Sequence, residues 1–151
     1  MTPFVTGGAG FLLAVLWFDL MFDVQVVRHR SRGGPLPDEV LASIAGYYRR
    51  VTTAARPMNR LVALVMVATV ATVVVQLVRG ELPTWASVSS LALILAAVSI
   101  AATSTVPSAV RLGARADGVE EQSRLARSIL RDHVLCAAGI GALLAIQLSV
   151  G

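Results

Sequence analysis

Asp19 and Asp23 stand one helical turn apart inside an apolar run, Phe4 to Val27, and His133 follows Asp132 at the head of another apolar run. A carboxylate inside a bilayer is costly, so such residues are where function is sought first. Three chemistries suit them. In the first, Arg60, Arg111 or Arg131 neutralises the two Asp and the ion pairs only fix helix register. In the second, a carboxylate desolvated in a bundle holds its proton more tightly and acts as acid or base on an apolar substrate. In the third, Asp19, Asp23 and His133, with Asp132 or His29, ligate iron or manganese. The metal reading is the weakest, because no Glu-x-x-His pair is present and His29 is turned roughly 80–120° from the two Asp on an ideal helix. The sequence therefore names no metal and no cofactor.

Four apolar runs are available to position these groups. Of the 151 residues 56% are hydrophobic, and the mean hydropathy of +0.73 exceeds that of an ordinary soluble domain, which places the chain in lipid. A hydrocarbon core of roughly 30 Å needs about 20 apolar residues in helix. Residues 4–27, 58–78, 85–110 and 128–150 meet that need. The expectation is an all-α, integral membrane four-helix bundle forming one domain over 1–151. The start MTPFVTGGAG has no positive region, so the first run is expected to be a span and not a cleaved signal. Cys136, the single cysteine, excludes an internal disulfide and reads as a packing residue. Gly7, Gly10 and Ala14, and Ala137 and Gly141, have the small-residue spacing of close helix contacts, within the bundle or between protomers.

Charge asymmetry sets the expected orientation. All thirteen basic residues are Arg. They gather in the first connection (Arg28, Arg30, Arg32, Arg49, Arg50, Arg56, Arg60) and around the last (Arg111, Arg115, Arg124, Arg127, Arg131), while the middle loop has Arg79 and Glu81. By the positive-inside rule the Arg-rich connections are cytoplasmic and both termini lie outside. The all-Arg usage suggests a GC-rich bacterium, hence a multi-pass protein of the bacterial inner membrane.

After GGPLP, Asp38 starts an amphipathic stretch with Val40, Leu41, Ile44, Tyr47, Tyr48 and Val51 on one face, expected to lie at the headgroups with Tyr and Arg as anchors. Pro57 ends or kinks it. Asp117 is expected to cap a helix in which Glu120 and Arg124 pair. Counted from Arg28, Asp23 lies roughly 8 Å and Asp19 roughly 14 Å deep. Asn59, Arg60, Arg111, Asp132 and His133 reach the same end, so a polar inner-leaflet pocket is expected if these faces turn inward. The outer half offers little besides Gln76 and Gln147 and argues against ion passage.

The segment TSTVPSAVRL and, after a polar loop, ILRDHVLCAAGIGALLAI resemble the anthrone oxygenase-like family of small four-span membrane proteins. Val106 and Pro107 match that family's Val-Pro-x-Asn element, and His133 and Val134 match its Asn-His-Val-Arg element. The Gly-rich start and RPMNRL are also similar. Ala109, Asp132 and Leu135 stand where the family has Asn, Asn and Arg. The resemblance implies oxidation of an activated aromatic, such as an anthrone, by dioxygen, with His133 as the base.

Together these readings suggest an oxygenase-like enzyme for a lipophilic aromatic or quinone-like substrate. Asp19, Asp23 and His133 would handle protons, and Arg60 or Arg111, with Asn59 and Asp132, would bind substrate. The opposing reading is a non-catalytic accessory or assembly subunit, paired within a homo-oligomer or larger membrane complex. No phosphate loop, serine triad or zinc cluster is present, and the basic connections are topology signals and not a nucleic-acid surface.

Overall fold

The computed structural model describes residues 1–29, 34–54 and 56–151, and every regular element among them is helical. Arg30, Arg32 and the side chain of Arg56 lie outside the described residues. The helices are α1 (Thr2–Val27), α2 (Asp38–Arg49), α3 (Arg56–Val78), α4 (Thr84–Ile100), α5 (Val106–Ala114) and α6 (Val119–Val150). Four stretches, Thr2–Val27, Pro57–Arg79, Thr84–Ala114 and Val119–Val150, are long and apolar enough to cross a membrane. The third joins α4 to α5 without a break.

Local sequence explains the boundaries. Pro3 occupies the first turn of α1, where a missing N–H costs nothing. At the end of α3, Gly80 takes φ 61°, Glu81 N–H donates to the Gln76 carbonyl (3.1 Å) and Gly80 N–H to that of Leu77 (3.2 Å). This left-handed cap closes α3, and Pro83 then prevents its continuation. Two prolines act inside helical runs. Pro107 and Pro57 cannot bond the carbonyls four residues back, and each is preceded by a widened π turn, Ala101–Thr105 and Arg50–Ala54 respectively.

α1, α3, α4 and α6 form a ring in that order, each packed on its two neighbours, while α2 lies across α5 near one end. Two apolar cores result. One, including Val5, Ala9, Val73, Ile94 and Leu143, fills the half that holds the chain ends. The other, including Val26, Leu41, Ile44, Leu112 and Ile129, joins α2 and α5 to the ends of α1 and α6. Ser123 Oγ accepts from Leu36 N–H (2.8 Å) and Arg127 donates to the Gly34 carbonyl (2.6 Å), which fastens the approach to α2 onto α6.

The last connection differs from its expected form. Gly118 and not Asp117 occupies the N-cap of α6, and Asp117 instead accepts from Arg111 (2.9 Å). Arg124 bonds Glu121, three residues back, at 2.6 Å and 2.7 Å, and not Glu120. An exposed Arg is long enough to take whichever carboxylate presents both oxygens, and the i,i+3 partner does so here.

Gln76 and Gln147, both 0% exposed, exchange reciprocal amide hydrogen bonds of 3.0 and 3.1 Å, and Gln147 also donates to Ser90 Oγ (3.1 Å). Gln147→Leu should therefore leave Gln76 Oε1 without its donor, while Gln76 Nε2 keeps its bond to Thr2 Oγ1 (3.2 Å), and cost about 1–2 kcal/mol. Replacing both by Leu should recover much of that loss in detergent unfolding. A double variant as unstable as the sum of the singles would contradict this account.

Candidate functional site

Between the two cores, α1, α2 and α6 bring five polar side chains together. Asp19 and Asp23 lie on one face of α1 because they are four residues apart, and His133 faces them from α6. Tyr47 and Tyr48 come from α2. Tyr48 Oη donates to Asp23 Oδ1 at 2.6 Å, and His133 Nδ1 lies 2.7 Å from Asp23 Oδ2. Asp23 is 0% exposed. Both its oxygens are thus satisfied by side chains from two other helices, and its burial needs no cation.

Asp19 is differently placed. Its Oδ1 accepts from Tyr47 Oη at 2.7 Å, while Oδ2 stands 3.8 Å from His133 Nε2, beyond hydrogen-bond range. Tyr47 is held by stacking on Phe22, with ring centroids 4.0 Å apart and planes 10° apart. Burial, then the bond to Asp19, pushes the Tyr47 hydroxyl pKa far above the usual phenol range. Burial and the nearby Asp23 charge do the same for Tyr48. Both tyrosines therefore remain proton donors to the carboxylates at any ordinary pH.

Where Asp23 Oδ2 accepts from Nδ1, the neutral imidazole is the tautomer that carries hydrogen on Nδ1 and a lone pair on Nε2. A buried carboxylate orienting a histidine in this way is the supporting half of a general-base arrangement. Nε2 and Asp19 Oδ2 face each other across a gap that a ligand hydroxyl or water can bridge. The gap belongs to a cavity of about 490 Å³ bordered by Asp19, Tyr47, Tyr48 and His133 at one end. Leu12, Leu16, Val62, Met66, Ile94 and Ile140 are among its apolar walls. The widened turns contribute Val51 and Thr52, and Ala101, Ala102 and Thr105. Such turns recur at functional sites because they displace side chains from the regular helical face.

The structure brings Asp19, Asp23 and His133 together and places Asn59 on the cavity wall. Arg60, Arg111 and Asp132 do not line it. Arg60 is exposed, and Arg111 pairs with Asp117 and Glu121 on the surface. Asp132 accepts from Ser104 Oγ (2.5 Å) and from the neighbouring Arg131 (3.2 Å). Among the described residues no Arg pairs with Asp19 or Asp23, so the expected neutralisation by Arg60, Arg111 or Arg131 gives way to tyrosine and histidine partners. Phenols satisfy a buried carboxylate by hydrogen bonding without burying another full charge.

Tyr47 and Tyr48 were expected at the headgroups, and sequence reasoning did not assign them to the site. The available signal was two carboxylates in need of donors and two consecutive tyrosines on the apolar face of the nearest amphipathic helix. His29 lies apart, with Nδ1 3.0 Å from the Gln25 carbonyl. Cys136 lines the cavity, its thiol 3.7 Å from the Ala97 carbonyl. No group of three His, Cys, Asp or Glu side chains among the described residues is arranged to hold a metal ion. No protein-family model, curated protein or solved structure matches this chain.

Proposed function

We propose that this protein is a small enzyme of the bacterial inner membrane that removes a proton from a lipophilic aromatic or quinone-like substrate. The observation that carries the reading is the His133 ring, tethered by Nδ1 to buried Asp23 with Nε2 beside Asp19 at the polar end of an apolar cavity. The Arg-rich connections favour an orientation with this end in the cytoplasmic leaflet and both chain termini outside. Nε2 takes the proton of a ring hydroxyl or an activated ring carbon, and the Asp19 carboxyl beside it accepts from the imidazolium that forms. The apolar walls hold the ring and exclude water. In the oxygenase-like form, suggested by the resemblance at Val106, Pro107, His133 and Val134, dioxygen then oxidises the substrate anion.

The accessory-subunit reading gains nothing from the Asp pair, whose partners lie within this chain.

Dioxygen uptake by the detergent-solubilised protein with anthrone, and proton release with a naphthoquinol, test the proposal. His133→Gln should lower the catalysed rate by about 10²–10⁴-fold while leaving the fold intact. A parent protein that neither binds nor turns over these compounds, or a His133→Gln variant as active as the parent, would overturn it.

A further inference from the structure

The cavity opens sideways, between helices, and not at the end of the bundle. α3 packs on α1 and α4 but makes no extended contact with α5. Past the π turn at Ala101–Thr105, the start of α3 and the α4–α5 span therefore part. The lips of the gap are Met58, Asn59, Ala63 and Val67 on α3, with Ala102 and Val106 opposite, all of them exposed cavity-lining residues. Met58 is 50% and Val67 67% exposed, although both belong to a stretch apolar enough to cross a membrane. The gap thus faces acyl chains. Toward the end of the bundle, α2 and the π turn after it close the same chamber with Tyr47, Tyr48 and Val51.

We infer that the cavity is a binding chamber filled laterally from the bilayer. Its ligand is a membrane-dissolved amphiphile with an apolar body and one hydroxyl or similar proton donor at its leading end. The chamber volume of about 490 Å³ lies within the range of small-molecule sites. Its walls are largely apolar, with Thr52, Asn59 and Thr105 the polar side chains besides the Asp19–His133 cluster, and that cluster is where a ligand hydroxyl meets a carboxyl and an imidazole together. Asp19 Oδ2 and His133 Nε2 receive the hydroxyl, the body lies along Val62, Met66 and Ile94, and the tail extends through the gap between Val67 and Ala102. The identity of the leading group rests on the acid–base reading above; the lateral route does not.

Cys136 is a built-in reporter, because it is the only cysteine and lines the chamber. The full chain would be placed in nanodiscs of phosphatidylcholine and phosphatidylglycerol, which leave both membrane faces open to water. Alkylation of Cys136 would then be followed by intact mass. Uncharged N-ethylmaleimide, which partitions into lipid, should modify Cys136, while a thiosulfonate bearing a trimethylammonium group should not. Ala102→Trp, which places a large ring on one lip, should slow the maleimide reaction by about tenfold. Ala63→Trp on the facing helix provides the same test if the first variant does not fold. Equal labelling by the charged reagent, no labelling by either, or a maleimide rate unaffected by both Trp variants would overturn the lateral route. Alkylation requires no turnover, so this failure is distinct from loss of anthrone or quinol chemistry.

Discussion

Asp23→Ala is expected to destabilise the protein by about 3–5 kcal/mol, the cost of removing one member of a buried charge-assisted network and leaving the others unpaired. Tyr48 Oη and His133 Nδ1 both point at Asp23 from other helices, and all three residues are buried. Asp23→Asn should cost less, about 1–2 kcal/mol, because its carbonyl oxygen still accepts from Tyr48. Its NH₂ group, however, faces His133 Nδ1 as a donor. That forces the hydrogen to Nε2, so the ring loses the lone pair it presents toward Asp19. Detergent unfolding checks the two stabilities, and ring-nitrogen NMR shifts of His133 check the tautomer. Equal losses for the two variants, or an unchanged tautomer in Asp23→Asn, would show that Asp23 does not orient the ring.

The spans were legible because they rest on length and apolarity, which need no tertiary information. The runs 4–27, 58–78, 85–110 and 128–150 correspond to the four long apolar helical stretches, with the last helix beginning well ahead of its apolar part. The convergence of Asp19, Asp23 and His133 was partly legible, since antiparallel spans of known length bring them to one depth. Their partners were not. Whether a carboxylate meets Arg111 or Tyr48 depends on how α2 docks, and a sequence separation of 25 residues between Asp23 and Tyr48 carries no local signal. Arg111 found Asp117 and Glu121 because those acids are near in the chain and exposed, where a long side chain reaches them at little entropic cost. The chamber was equally hidden. It arises where α3 separates from α5, and the two prolines with their π turns mark the place only after the helices have been assembled.

Gly113 connects that docking to the chemistry. α5 approaches α2 so closely there that an added Cβ would lie 2.9 Å from the Arg49 backbone nitrogen and 3.1 Å from its Cα. These are main-chain atoms at the end of α2, so no side chain can swing aside to make room. Arg49 directly follows Tyr48, and a displacement of α2 at this point is transmitted to both tyrosine hydroxyls. Gly113→Ala should therefore cost about 1–3 kcal/mol from overpacking alone. It should also lengthen the Tyr48–Asp23 and Tyr47–Asp19 bonds, release the Phe22–Tyr47 stack and leave the carboxylates short of donors. The same change at Gly46, whose Cβ position is open, serves as the control and should be nearly neutral or slightly stabilising, since Ala favours helix over Gly. Unfolding in detergent measures the first effect, and tyrosine ultraviolet difference spectra measure the second. A Gly113→Ala protein with parental stability and unchanged tyrosine spectra would mean that α2 does not depend on this contact for its position over the site.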